Sequence, residues 1–424
     1  MVDAGKRTAR PDEYRVLLNN SAHDVEDREM LDQLLSVSQE MTGITMVAGN
    51  ACQLLIDGPA TFKMIFADIK RARESIHLET FILEDDKIGR QLAEQLILAK
   101  QRGLSIRILI DAVGSFNLPA DFVGRLTGHG IELRKFHPVD PAEDPRIWRF
   151  NNRDHRKILV IDGRVAYTGG INISGVYSKG SLTVPRKKTR GNIAWRDTHV
   201  RVTGPVVHQF QKNFLEMWNK DLTEAERVKD AGYFPVIAAQ GDMVVGVAAH
   251  NGGDAVESDI YSVMAAAIGH AQKRIWITQA YFVPDEAFIE IIRLAAKRGV
   301  DVRLMLPGVS DAPLVIQASR SSYEVLLEAG VKIYERTDAV LHAKTVVVDS
   351  VWSSIGSTNY DYRSFVHNYE LNAVIVNKDF GNAMEQLFQK DIQQAGKITL
   401  QAWRQRPFIQ RLKEGFGGLL RHWL

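Results

Sequence analysis

Apolar residues recur at three-to-four spacing in two distant stretches of this chain, Leu92, Leu96, Ile97 and Ala99 in one and Ile289, Ile292 and Leu294 in the other. That period predicts helices with one buried face, and Gly103 and Gly299 close them. Each glycine is followed by a run of strand length rich in β-branched residues, "LSIRILIDAVG" and "VDVRLMLPG". Widening the window gives the same order twice. The first half reads helix "FKMIFADIKRARES", strand "IHLETFIL", helix "IGRQLAEQLILAKQRG", strand, helix "ADFVGRLTGHG" and strand "IELRKFHP". The second reads "YSVMAAAIGHAQKR", "IWITQAYFV", "EAFIEIIRLAAKRG", strand, "SRSSYEVLLEAG" and "VKIYERTD". Strands alternating with helices predict an α/β body with a mostly buried sheet, and the repeat predicts two such bodies with a seam near residues 233–251.

Outside the repeat, residues 1–45 carry a moderately amphipathic helix around "DREMLDQLLSVSQEM", read as a docking helix with a solvated face. Residues 401–424 form a basic tail. The expected units are therefore 1–45, 46–235, 236–400 and 401–424.

A chain of 424 residues is long enough for two full cores. Its formal net charge of +2 gives no global attraction to nucleic acid or anionic membrane, so any such attraction must be local. Cys52 is the only cysteine, which excludes an internal disulfide or a cysteine metal cluster and fits a reducing, intracellular setting. The first residues lack the apolar core of a signal peptide, and no apolar run reaches the roughly eighteen residues of a membrane-spanning helix. The expectation is a protein that is soluble or bound to a membrane surface.

Both halves end on the same chemistry. "DHRKILVIDGRVAYTGGIN" carries His155, Lys157, Asp162, Gly169, Gly170 and Asn172, and "LHAKTVVVDSVWSSIGSTN" carries His342, Lys344, Asp349, Gly356, Ser357 and Asn359 at the same intervals. Residues two apart on a strand share a face, so each imidazole projects beside an ammonium. Such a pair suits a phosphoryl group. Lysine offers charge to the phosphate oxygens, asparagine adds a neutral donor, and the small residues let backbone approach an anion. Imidazole can attack phosphorus or deliver a proton to a leaving oxygen. Two copies across a two-fold seam supply one histidine for each task.

These segments resemble the HxKxxxxD motifs of the phospholipase D superfamily. "GGIN", "WRDTHVRVTGP", "YFVPDEAF", "LLEAGVKIYE" and "GSTNYDYRSFVHNYELN" are similar to bacterial cardiolipin synthases. The resemblance covers nearly the whole chain beyond about residue 46. It implies two tandem phospholipase D-like α/β domains, each a mixed β-sheet flanked by helices, with the active site at the seam. It implies that the catalytic set comes from His155, Lys157, Asp162, His342, Lys344 and Asp349, the histidines being nucleophile and general acid and the two aspartates serving structure or charge balance. Asn172 and Asn359 would help bind phosphate. Asp197 would orient the first histidine and Glu370 the second. No metal or other cofactor is implied. The chain departs from the family in reading "TQAYF" where relatives often read "TPYF", which puts the pocket wall near Gln279 in question, and in lacking the membrane-spanning helices of many relatives.

The implied activity is transfer of phosphatidyl from one phosphatidylglycerol to another, with His155 as nucleophile and His342 as acid or the two roles reversed. Hydrolysis to phosphatidate is the nearest alternative. A superfamily nuclease is disfavoured by the near-zero net charge, and a non-catalytic membrane-binding protein by the intactness of both motifs. Expected partners are phospholipids and an anionic membrane surface, with no nucleic acid, and the expected location is the cytoplasmic face of a bacterial inner membrane, or the cytoplasm. Two features suggest how lipid is reached. Lys179, Arg186, Lys187, Lys188, Arg190 and Arg196 read as one basic loop, worth about 1 kcal/mol per residue near anionic lipid. In the tail, Phe408, Leu412, Phe416, Leu419 and Trp423 lie at helical spacing among Arg404, Arg406, Arg411, Lys413 and Arg421, as in an interfacial helix; a terminal helix packed on the body is the equal alternative.

Overall fold

The computed structural model describes residues 44–138, 151–181, 193–229, 232–252 and 258–420, with isolated helical positions at 29, 33 and 36. Apart from those three positions the expected amino-terminal helix lies outside the described residues, as do Arg186, Lys187, Lys188, Arg190, Arg421 and Trp423.

The repeated pattern forms helices and strands where apolar spacing places them. In the first half the helices Asp57–Arg71, Lys87–Gln101 and Ala120–Gly128 alternate with the strands Ser75–Thr80, Ser105–Asp111 and Glu132–Phe136. In the second, Asp259–His270 and Glu286–Lys297 alternate with Arg274–Gln279, Asp301–Pro307 and Lys332–Arg336. The helix expected over "SRSSYEVLLEAG" is Tyr323–Glu328, and a further helix, Pro313–Arg320, precedes it. Pro313 opens the latter because its missing N–H falls where a helix has no acceptor for it.

Strand order repeats position for position. Outward from the middle of the molecule the first half runs Val47–Ile56, Thr198–Thr203, Val165–Gly169, Lys157–Ile161, Ser75–Thr80, Ser105–Asp111 and Glu132–Phe136. The second runs Met243–Asn251, Tyr369–Val376, Trp352–Gly356, Lys344–Val348, Arg274–Gln279, Asp301–Pro307 and Lys332–Arg336, with Ala395–Ile398 added at its edge. Val47–Ile56 pairs antiparallel with Met243–Asn251, through a register irregularity that joins the halves. Ser75–Thr80, Ser105–Asp111 and Glu132–Phe136 run parallel, as do Arg274–Gln279, Asp301–Pro307 and Lys332–Arg336, and the other pairings in the two series are antiparallel, so each sheet is mixed.

The halves then face each other. Ile158, Val160, Val200 and Val202 share one buried cluster with Val245, Ile355, Leu371 and Ile375. A second cluster, including Phe62, Leu92 and Leu96, lies under the helices of the first half, and a third, including Val263, Ile289 and Ile292, under those of the second. The strands are apolar on both faces for this reason. Lys157–Ile161 and Lys344–Val348 occupy equivalent central places, and their leading ends meet at the seam.

Candidate active site

Each motif is held from its far end. Asp162 and Asp349 sit in hairpin turns with left-handed backbone, at φ 54° and 52°. The carboxylate of Asp162 accepts from the amides of Arg73, Glu74 and Ser75, and that of Asp349 from Gln272, Lys273 and Arg274, at 2.6–3.2 Å. Each aspartate thus caps the start of the neighbouring strand. Neither lines the cavity that holds the histidines; both hold their motif from the turn, the structural use expected of them within the catalytic motif.

At the leading ends, His155 and His342 open onto one cavity of about 200 Å³. Asn172, Asn359, Tyr177, Trp195, Tyr281 and Phe81 line it, together with the ionisable Arg153, Arg363, Asp311 and Asp361. The imidazole rings are walled by aromatics, Phe81 5.0 Å from His155 and Trp195 5.3 Å from His342 between ring centres. Lys157 and Lys344 lie beneath them, each Nζ donating to the carbonyl of its own histidine at 2.5 Å.

The carboxylates pair across the seam, the reverse of the pairing expected from the motifs. His155 Nδ1–H donates to Glu370 at 2.9 and 3.1 Å, and His342 Nδ1–H to Asp197 at 2.7 Å. The cause is backbone. Trp195–Arg196 pairs with Val340–Leu341, and the amide of His342 donates to the carbonyl of Arg196. The amide of His155 donates likewise to the carbonyl of Tyr369. Each histidine is therefore locked one residue from a carboxylate belonging to the other half, and the linear chain carries no sign of that. With Nδ1–H committed, Nε2 is the ring nitrogen left for substrate.

Burial governs the electrostatics. It pushes His155 down to about 4, with Lys157 adding to the effect and Glu370 opposing it. His342 is also lowered, by burial and then by Lys344, but two carboxylates, Asp197 and Asp311, oppose the shift. Burial brings Lys157 to about 7 and Lys344 to about 8. Glu370 is held at about 2 because the nearby His155 and Lys157 charges and the Ser357 hydroxyl outweigh its burial. Asp197 stays below the usual carboxylate range for the same kind of reason, through His342 and Lys344. The resting site thus has ionised Glu370 and Asp197 and a neutral His155, while burial pushes the cavity-lining Asp361 up to about 7 and His342 has the larger share of negative charge around it.

The small residues of the motifs have a different use from the one expected. A Cβ on Gly170 would collide with the Asp197 carboxylate, so this glycine makes room for the carboxylate rather than for an anion. At the equivalent place Ser357 donates its hydroxyl to Glu370, joined by Ser364 at 2.8 Å. Asn172 donates to Tyr177 and accepts from the amide of Ile82, whereas the amide oxygen of Asn359 has no hydrogen-bond partner. Arg196 is no part of a basic loop: it is buried and bound to Asp391 at 2.8 Å. Gln279 pairs with Lys344 across neighbouring strands and stays buried, outside the cavity lining. Sequence reasoning missed Tyr177, Trp195, Asp311, Arg153 and Arg363. Arg153 and Trp195 lie within two residues of motif positions, which is a usable signal; Asp311 carries none.

Comparison with known proteins agrees with this construction. Residues 65–218 and 264–392 match the family described as cardiolipin synthase, PLD-like domain. Similar proteins include a cardiolipin synthase of Geobacillus kaustophilus, 38% identical over 87% of this chain and 71% of the relative. Cardiolipin synthase 2 of Bacillus cereus is 35% identical over 98% of this chain and 80% of the relative, and a Staphylococcus aureus cardiolipin synthase is 32% identical over 95% and 78%. Among solved structures, a phosphatidylserine synthase of Haemophilus influenzae superposes with a TM-score of 0.65 at 16% identity, over 92% of this chain and all of the other, which speaks for the fold alone. Two tandem motif-bearing halves, one shared cavity and extensive identity together place the chain in the cardiolipin synthase, PLD-like family, within the phospholipase D superfamily.

Proposed function

We propose that the protein is a phosphatidyltransferase that makes cardiolipin from two phosphatidylglycerol molecules. The observation that supports it most is the pair of histidines facing one cavity, each with Nδ1 fixed on a buried carboxylate and Nε2 free. In the first step, Nε2 of His155 attacks the phosphorus of one phosphatidylglycerol. The bond from phosphorus to the glycerol headgroup oxygen breaks, and His342 gives its Nε2 proton to that oxygen. In the second step the hydroxyl of another phosphatidylglycerol returns a proton to His342 and attacks the phosphatidyl-histidine. The phosphorus–nitrogen bond breaks, releasing cardiolipin and restoring His155.

Glu370 and Asp197 hold each ring and favour its cationic form, as a carboxylate behind a catalytic imidazole does. The phosphodiester brings a negative charge that favours protonated His342, Lys157 and Lys344. Asn172 and Asn359 add neutral donors, and Arg153 and Arg363 are further cations at the cavity wall. No described helix is long and apolar enough to cross a membrane. We place the enzyme peripherally on an anionic membrane, on the cytoplasmic face in a bacterium.

An activated lipid separates the two histidines. His155→Ala and His342→Ala are each expected to lower phosphatidylglycerol turnover by about 10³-fold or more. With a nitrophenyl phosphatidyl ester, whose leaving group needs no proton, His342→Ala should still release nitrophenol and trap phosphorus on histidine, and His155→Ala should not. Trapping by His155→Ala instead would reverse the roles, and full phosphatidylglycerol turnover in either variant would remove the two-histidine mechanism.

A further inference from the structure

The helix Phe408–Leu419 is docked the wrong way round for a helix that serves only the core. It packs on Pro313–Arg320 through polar and small residues: Gln410 donates to Gln317 at 3.0 Å, and a Cβ on Gly417 would lie 2.7 Å from the backbone nitrogen of Ala318, while Glu414 is buried against Arg406 of the preceding turn at 2.7 Å. The apolar residues point away. Phe408, Ile409, Leu412, Phe416 and Leu419 are 56–78% exposed. At about 100° per residue they fall within an arc of roughly 100°, opposite the docked face. Arg411 and Lys413, both exposed, flank that arc on its two sides. Neither of the two sequence readings of this tail is complete, because the helix is both packed on the body and apolar outward.

The helix on which this stripe is mounted starts beside the site in the chain. The supporting helix Pro313–Arg320 begins two residues after cavity-lining Asp311 and exposes Leu314. Exposed Tyr362 lies between cavity-lining Asp361 and Arg363, and exposed Phe116 follows Ser115, whose hydroxyl bonds the carbonyl of cavity-lining Phe81. An apolar stripe edged by cations fits acyl chains bordered by anionic headgroups. Symmetric pairing of two such helices would instead gather Arg411 and Lys413 of both copies at one seam.

We infer that the outward face of Phe408–Leu419 docks on an anionic phospholipid bilayer and brings the mouth of the cavity to the lipid surface; the inference rests on the lipid-substrate reading above. The test is sedimentation of the full chain with vesicles of phosphatidylglycerol and phosphatidylcholine, or of phosphatidylcholine alone, beside turnover of a short-chain phosphatidylglycerol dispersed as monomers. The wild type should bind the anionic vesicles. Leu412→Asp with Phe416→Asp should weaken that binding about tenfold or more, with monomeric turnover and light-scattering mass unchanged. Arg411→Glu with Lys413→Glu should abolish the preference for phosphatidylglycerol. Undiminished vesicle binding by the first variant overturns the inference, as does a dimer that it merely splits. If the wild type binds vesicles but turns over no short-chain lipid, the catalytic reading fails and the docking surface stands.

Discussion

At the scale of single residues, the decisive feature is that each catalytic-site imidazole is buried beside a lysine and backed by a carboxylate from the opposite repeat. Burial lowers both histidines and both lysines of the motifs, which sets the direction of the site's pH dependence. A base with a lowered pKa gives up its proton earlier as pH rises. The value of kcat/KM should therefore begin to fall as His342, the proton donor, deprotonates below the usual imidazole range, and fall further as pH passes 7 to 8, where Lys157 and Lys344 titrate in the empty site, rather than holding to the usual lysine value of about 10.4. Asp311 favours the proton on both His342 and Lys344. Asp311→Asn should accordingly move the falling limb to lower pH with little change below it. A pH profile of the two enzymes on the same lipid checks this, and an unmoved limb removes Asp311 from the account.

At the scale of elements, the part of the seam beside the histidines is pinned by short pieces of chain. The two-residue pairing of Trp195–Arg196 with Val340–Leu341 is backed by Asp391 on the helix Lys378–Ile392, which receives both Arg196 and Arg336, all three buried. Removing one partner of a buried ion pair leaves uncompensated charge, so Asp391→Ala should cost about 3–5 kcal/mol in urea unfolding. Stability within error of wild type would mean the cluster is dispensable. Periodicity made the helices and strands of the repeat legible, and the identical His-Lys spacing made the cavity-lining pair legible, because both are local in sequence. The exchange of carboxylates was not, since Asp197 and His342 are 145 positions apart and meet only when the sheets face each other. Arg196 looked like loop charge for a related reason: nothing beside it in the chain reveals Asp391.

At the scale of the molecule, duplication explains why the active site is a seam and why neither half holds a complete one. Each half supplies one histidine, one lysine and the carboxylate for the other half's histidine, so the chemistry exists only in the assembled pair. The halves are not interchangeable: Asp154 and Arg156 around His155 are replaced by Leu341 and Ala343 around His342, and Asp311 stands on the His342 side. That asymmetry suits a reaction in which one histidine carries the phosphatidyl group and the other carries its proton. The most direct measurement is a product assay, in which the purified protein is given phosphatidylglycerol vesicles and the lipids and headgroup are resolved. The expected result is cardiolipin and glycerol in equal amounts. Phosphatidate with glycerol and no cardiolipin would contradict transfer, showing that water rather than a second lipid resolves the phosphohistidine.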